Sequence, residues 1–182
     1  ASIGIQVHGG VGYMEETGAV QHLRDSRIAP IYEGTNGIQA QDLVARKVLR
    51  DGGTAAKNYI AEVRGLCDAL GGAPGDAAAI LQTQLTAACD ALAGTTDWLL
   101  GETGSDLSRA MAGATPYLRL FGTVAGGAMM ARSAMAAQAA LDAGAGDAEF
   151  YAAKLMTARF YAENILPQAA ALVAPVRDGH HA

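Results

Sequence analysis

The chain has 182 residues, room for one ordinary domain or two small helical units. Its formal net charge of −5, with no basic cluster, excludes nucleic acid and anionic membrane surfaces as natural partners. Hydrophobic residues reach 51% but aromatics only 5%; alanine supplies much of the apolar count, which predicts an all-α fold of close-packed helices forming a helical bundle.

Residues 1–8 read as the end of a helix, and Gly9, Gly10 and Gly12 break it. The glycines lack the Lys-Ser/Thr of a phosphate loop and follow no strand, so Walker and Rossmann readings are rejected. His8 by itself is a turn histidine. Ala1-Ser-Ile-Gly-Ile, without an initiator Met, is expected to be mid-element and not a natural start. Thr17 or Gly18 should start a short helix to about Arg24 or Asp25. Pro30 is expected to keep Ala29 out of helical geometry, giving an extended or turned segment. Gly34 permits positive φ or close approach of a ligand. Thr35 or Asn36 caps a helix beginning near Gly37 and running to about Arg50, with Ile38, Ala45, Val48 and Leu49 on one face. Glu33 is thereby set just before a helix start, where unpaired N–H groups point outward.

Asp51-Gly-Gly53 stops that helix, and the remainder is helical throughout. A helix from Thr54 to Leu70 ends at Gly71-Gly-Ala-Pro-Gly75. Asp76 caps a long helix to about Leu100, in which Leu81, Leu85, Ala88, Leu92, Thr95 and Leu99 recur at steps of four and three, a bundle seam. Gly101 to Gly104 breaks it. Ser105 or Asp106 opens the next piece, which Pro116 interrupts or kinks. Tyr117, Phe121, Val124, Ala128 and Ala131 then share a face. Gly122, Gly126 and Gly127 weaken this helix and imply close backbone packing in return. Met129, Met130 and Met135 are expected as core filler. After a Gly144-Ala-Gly146 loop, Asp147 caps a helix to about Asn164 that presents Tyr151, Leu155, Ala158, Ala162 and Ile165. Pro167 fits the first turn of a last helix, Gln168 to about Val173. His180-His181 lies in a tail expected to be disordered. Cys67 and Cys89 form neither a disulfide framework nor a CxxC pair and are expected to be small buried apolar residues. No apolar run is long enough to span a membrane, and residues 1–20 have no signal-peptide pattern, so the expected compartment is cytoplasmic.

Three blocks in fixed order carry a family resemblance: Gln6-Val-His-Gly-Gly-Val-Gly-Tyr13, Arg24-Asp-Ser-Arg-Ile28 and Ile31-Tyr-Glu-Gly-Thr-Asn-Gly-Ile-Gln39. Together they resemble the C-terminal end of an acyl-CoA dehydrogenase. The patches Ala114–Gly122 and Ala158–Ala169 resemble the extra C-terminal helical domain of one branch of that family, which includes the 3-methylmercaptopropionyl-CoA dehydrogenases. The resemblance implies residues 1–53 as the end of the C-terminal helical domain with the catalytic loop, 54–175 as an additional helical bundle, and 176–182 as a tail.

The resemblance also implies a reaction: α,β-dehydrogenation of an acyl-CoA thioester. Glu33 would take the α-proton while the β-hydrogen leaves as hydride to FAD, and the backbone N–H of the base residue would help hold the thioester oxygen. Gln6, Val7, His8, Gly9 and Gly10 carry over as FAD contacts, as do Thr35, Asn36 and Gly37; many relatives have Gln where this chain has Gly37, so that contact would be through backbone. Tyr32 and Gly34 carry over on the substrate side. Arg24 and Asp25 become a structural pair fixing the loop before Glu33. An electron-transfer flavoprotein is the implied acceptor, and a homodimer or dimer of dimers the implied assembly. No segment resembles the domains that cradle flavin and CoA, so the chain alone is expected to hold little or no FAD and to be inactive. Two alternatives stand beside this reading: a helical oligomerisation or docking module without chemistry of its own, and an acyl-CoA oxidase. A di-iron bundle is dropped, because no Glu-x-x-His pair occurs. No metal site is expected.

Overall fold

The computed structural model describes residues 1–102 and 106–179. Gly104, Ser105 and the His180-His181 pair lie outside the described residues. The chain divides into two units, Ala1–Gln39 and Ala40–Ala182. Among the described residues there is no strand, and no helix is long and apolar enough to cross a membrane.

The first unit holds α1 (Ser2–Val7), two 3-10 turns (Gly9–Tyr13 and Glu15–Thr17), α2 (Ala19–Ile28) and the start of α3 (Asn36–Asp42). Gly12 is its one buried residue, and large apolar side chains such as Val7 and Tyr13 are about four-fifths exposed, at 79% and 80%. Helix α2 runs three residues further than the sequence suggests. Ala29 also keeps right-handed helical geometry, contrary to expectation. The pre-proline restriction is a bias, and here the N–H groups of Ile31 and Tyr32 both bond back to the Ile28 carbonyl, which carries the turn past Pro30.

In the second unit, α3 continues into a π-helical stretch, Leu43–Leu49. The wider winding changes which residues align. Ala40, Val44 and Val48 are buried, whereas Ile38 is exposed, correcting the expected face. Asp51 ends the stretch by accepting from the N–H groups of Gly53 and Ala55.

Helix α5 (Asp76–Glu102) is the centre of this unit and packs against α4 (Thr54–Gly71), α7 (Ala114–Asp142) and α8 (Ala148–Asn164). All six predicted seam residues, Leu81 through Leu99, are buried. Thr95 fits there because its hydroxyl donates to the Ala91 carbonyl one turn back, so no polar atom is stranded. Asp106 caps α6 (Leu107–Ala112) and Asp147 caps α8, each accepting backbone N–H bonds from the next turn. Pro116 does not kink α7: it falls in the first turn, where its missing N–H would have had no partner. Tyr117, Val124, Ala128 and Ala131 are buried as expected, with Phe121 partly buried.

Two of the three α7 glycines are explained by close packing. A Cβ on Gly126 would strike the Tyr161 ring, and one on Gly127 would lie 2.7 Å from a Leu166 methyl and 2.9 Å from a Leu85 methyl. Gly122 faces open space, so close packing does not explain it. Met130 and Met135 pack on the core, but Met129 is exposed. The chain does not stop at Val173: α9 (Gln168–Ala171) is followed by α10 (Val173–Asp178), which buries Val176 and sends the Arg177 guanidinium to the Gly94 carbonyl.

Cys67 and Cys89 are buried and unbridged, and burial pushes both thiols up, Cys89 to about 11. They are packing residues, not nucleophiles. Tyr117 is fully buried, with its hydroxyl 2.8 Å from that of Thr96. Burial pushes the Tyr117 phenol up to about 12, against the opposing pull of the Thr96 hydrogen bond. A folded-state value above the unfolded one of 10.0 gives stability that is present at neutral pH and lost as pH rises towards 12. Tyr59 and Tyr161 shift the same way through burial. Urea midpoints measured from pH 9 to 12 should therefore fall, and Tyr117→Phe should make that fall shallower.

Candidate functional site

The candidate base lies between α2 and α3, where Glu33 and Gly34 reverse the chain. Glu33 has φ 56°, the only non-glycine residue at positive φ among the described residues. A side chain held there carries about 1–3 kcal/mol of backbone strain, and such outliers persist where the surroundings fix them. Gly34 follows at φ 115°, so the glycine is required by conformation as the sequence suggested.

The Glu33 carbonyl accepts a hydrogen bond from Gln39 Nε2 at 2.7 Å. Gln39 is thus a structural part of the turn that sequence reasoning missed. A usable signal was present: Asn36-Gly-Ile-Gln39 has the spacing of a capping box. In the structure the amide reaches further back, to Glu33. The Glu33 side chain is exposed, and neither its carboxylate nor its N–H makes a hydrogen bond among the described residues. Tyr32 is also exposed, beside it on the chain.

Thr35, Asn36 and Gly37 form the entry to α3, and all three are exposed. The Thr35 carbonyl accepts the Gln39 N–H, which starts the helix. The second predicted run, Gln6 to Gly10, spans the end of α1 and the following 3-10 turn, again exposed. Gly9 sits at φ 67° with open space where a Cβ would lie. His8 Nδ1 donates to the Gly4 carbonyl at 2.9 Å, the turn role expected of it. His8 also lines a cleft of about 390 Å³ between α1 and α2, with Gly4, Thr17, Gly18 and His22. Among the described residues no hydrogen bond joins the Gln6–Gly10 run to the 31–39 turn.

The donor set is neutral: two carboxamides (Gln6 and Asn36), one hydroxyl (Thr35) and open glycine backbone. None of these three side chains is hydrogen-bonded within the described residues. Uncommitted, uncharged donors at two turns fit the phosphates and hydroxyls of a flavin dinucleotide. Arg24 and Asp25 do not pair with each other. Arg24 bonds Glu15 at 2.8 Å and Gln21 at 3.0 Å, and Gln21 in turn donates to Asp25. Their role is structural, but it ties α2 back to the Glu15 turn, not forward to Glu33.

In the second unit a groove of about 500 Å³ runs between α4 and α5. Both of its cations are paired, Lys57 with Asp97 at 3.3 Å and Arg64 with Asp90 at 3.1 Å, as expected of a solvated helix seam. No group of three His, Cys, Asp or Glu residues that could hold a metal occurs among the described residues.

Comparison with known proteins gives two family matches. Residues 59–182 match the family described as acetyl-CoA dehydrogenase C-terminal like. Residues 1–49 match the acyl-CoA dehydrogenase C-terminal domain. The chain is 46% identical over 178 residues to a 3-methylmercaptopropionyl-CoA dehydrogenase of Ruegeria pomeroyi, covering 98% of this chain and 30% of that protein. It is 35% identical over 169 residues to the broad-specificity linear acyl-CoA dehydrogenase FadE5 of Mycobacterium tuberculosis, covering 90% of this chain and 28% of the relative. A butyryl-CoA dehydrogenase of Syntrophomonas wolfei is 31% identical over 167 residues, covering 90% of this chain and 27% of the relative. The chain thus spans less than a third of each relative's length.

Proposed function

Because this chain belongs to the acyl-CoA dehydrogenase family, we propose that it is the C-terminal part of a flavoenzyme that dehydrogenates acyl-CoA thioesters, with Glu33 as the base. The observation that carries the reading is the turn itself: a carboxylate on the one left-handed non-glycine residue described, with its carboxylate and N–H both uncommitted. Glu33 removes the proton from the carbon beside the thioester carbonyl. Its own N–H is free to donate a hydrogen bond to the thioester oxygen as negative charge builds there. Tyr32 and Ile31 flank the acid and would exclude water once substrate covers them. Gly34 remains the proposed substrate-side contact, through its backbone. Bound FAD supplies the acceptor for the β-hydride; Gln6, Val7, His8, Gly9 and Gly10 with Thr35, Asn36 and Gly37 are the residues that would hold it.

The many exposed apolar side chains of Ala1–Gln39 support a site completed by more protein than this chain contains. The same consideration supports the chain alone holding little FAD. For residues 40–182 the fitting role is a helical module without chemistry of its own, since its core is mainly aliphatic around the buried Tyr117 and the Lys57, Arg64 and Arg132 ion pairs tie helix to helix. A cytoplasmic location, an electron-transfer flavoprotein as acceptor and a homodimer or dimer of dimers complete the proposal.

The test is spectroscopic. Full-length protein should be purified yellow, and its flavin absorbance should bleach when a saturated acyl-CoA is added without oxygen. A colourless protein, or one that acyl-CoA leaves unbleached, contradicts the proposal.

A further inference from the structure

We propose that Gln39 is a positioning residue for Glu33: its amide N–H, donated to the Glu33 carbonyl, fixes the left-handed turn that aims the carboxylate. The inference rests on the reading of Glu33 as the base, and it deepens that reading by naming what holds the base in place.

Three observations converge. Glu33 has φ 56°, a conformation uncommon for Glu. Among the described residues, the single side-chain hydrogen bond on that turn comes from Gln39 Nε2, at 2.7 Å. Gly34 leaves the space the amide occupies, since a Cβ there would lie 3.0 Å from Gln39 Nε2 and 3.4 Å from Ile38 Cγ2. The chain reversal and the amide are therefore built against each other. Gln39 itself is anchored, because its own N–H donates to the Thr35 carbonyl at the start of α3.

The consequence follows from backbone geometry. If Glu33 relaxed to the right-handed region, φ would change by roughly 120°. That rotation redirects the Cα–Cβ bond and turns both the carboxylate and the N–H away from a common target. Since the carboxylate and the N–H are the two groups proposed to act on one thioester, losing the clamp should slow proton removal without weakening substrate binding. A misplacement of about 1 Å is enough to cost on the order of 100-fold in rate.

The experiment uses the full-length protein with Gln39→Met and Gln39→Glu, which keep the side chain's length and remove its donor. Two rates per bound flavin are measured: steady-state dehydrogenation, and loss of α-deuterium to water from a deuterated saturated acyl-CoA with no electron acceptor. In the exchange the α C–D bond breaks, the deuteron passes to Glu33 and then to water, and a proton returns to carbon. Both variants should lose about 10- to 100-fold in exchange and in kcat, together, with KM and flavin content within about twofold of wild type. Wild-type exchange in both variants overturns the inference, and so does a loss confined to KM. If Gln39→Met fails to fold, the isosteric Gln39→Glu decides alone. Glu33→Gln run alongside separates the two levels: wild-type exchange in that variant removes the base itself, whereas its loss beside unchanged Gln39 variants removes only the clamp.

Discussion

Replacing Glu33 by Gln in the full-length protein should lower acyl-CoA dehydrogenation by about 10²- to 10⁴-fold while leaving flavin bound, the range typical of losing a positioned general base. Gln keeps the shape and length of the side chain but cannot take a proton. The fold gives no competing reason for a loss. The Glu33 side chain is exposed and holds no hydrogen bond or ion pair among the described residues, so nothing collapses when its charge is removed. The clamp from Gln39 goes to the Glu33 carbonyl, which the substitution keeps. Turnover assays with flavin content measured from the same sample check this. Turnover within a fewfold of wild type would reduce Glu33 to a turn residue.

The second large effect is on stability, where Leu85, Gly127 and Leu166 meet. Leu85→Ala in the 182-residue chain should cost about 2–5 kcal/mol, because a fully buried Leu leaves a cavity its neighbours fill only in part. Gly127→Ala should cost about 1–3 kcal/mol by overpacking, since the new methyl would meet Leu166 at 2.7 Å and Leu85 at 2.9 Å. In the double variant the added methyl enters space that Leu85 vacates. The combined loss should then fall short of the two single losses by about 0.5–3 kcal/mol. Leu166 still crowds the methyl, so rescue is partial. Urea denaturation of the four proteins measures the cycle. Strict additivity would show that Leu85 and Gly127 do not share the space the packing implies.

What could be read in advance follows from which forces are local. The α5 seam was legible because its burial is set by helical period, and Leu81 to Leu99 are buried as the spacing requires. The cap at Asp147 was legible, and Asp106 was one of two candidates for its helix, because a carboxylate can accept N–H groups two and three residues on. Asp76, expected to cap α5, instead lies inside its first turn. The π-helical winding of Leu43–Leu49 was not, since that hydrogen-bond shift follows from packing and not from residue type. The docking of Val176 was missed because the contact lies far away in sequence. At the candidate site, positive φ was one of two readings open for Gly34, but nothing pointed to it at Glu33. Glu has no preference for the left-handed region, and its conformation there depends on an amide six residues later. The sequence pattern named the acid; the turn that orients it became visible only with coordinates.

The most direct measurement is a crystal structure of the full-length protein with a saturated acyl-CoA bound. The account predicts the Glu33 carboxylate within about 3.5 Å of the α-carbon, with the left-handed turn and the Gln39 bond intact. A carboxylate directed into bulk solvent, with another group against the α-carbon, would contradict it.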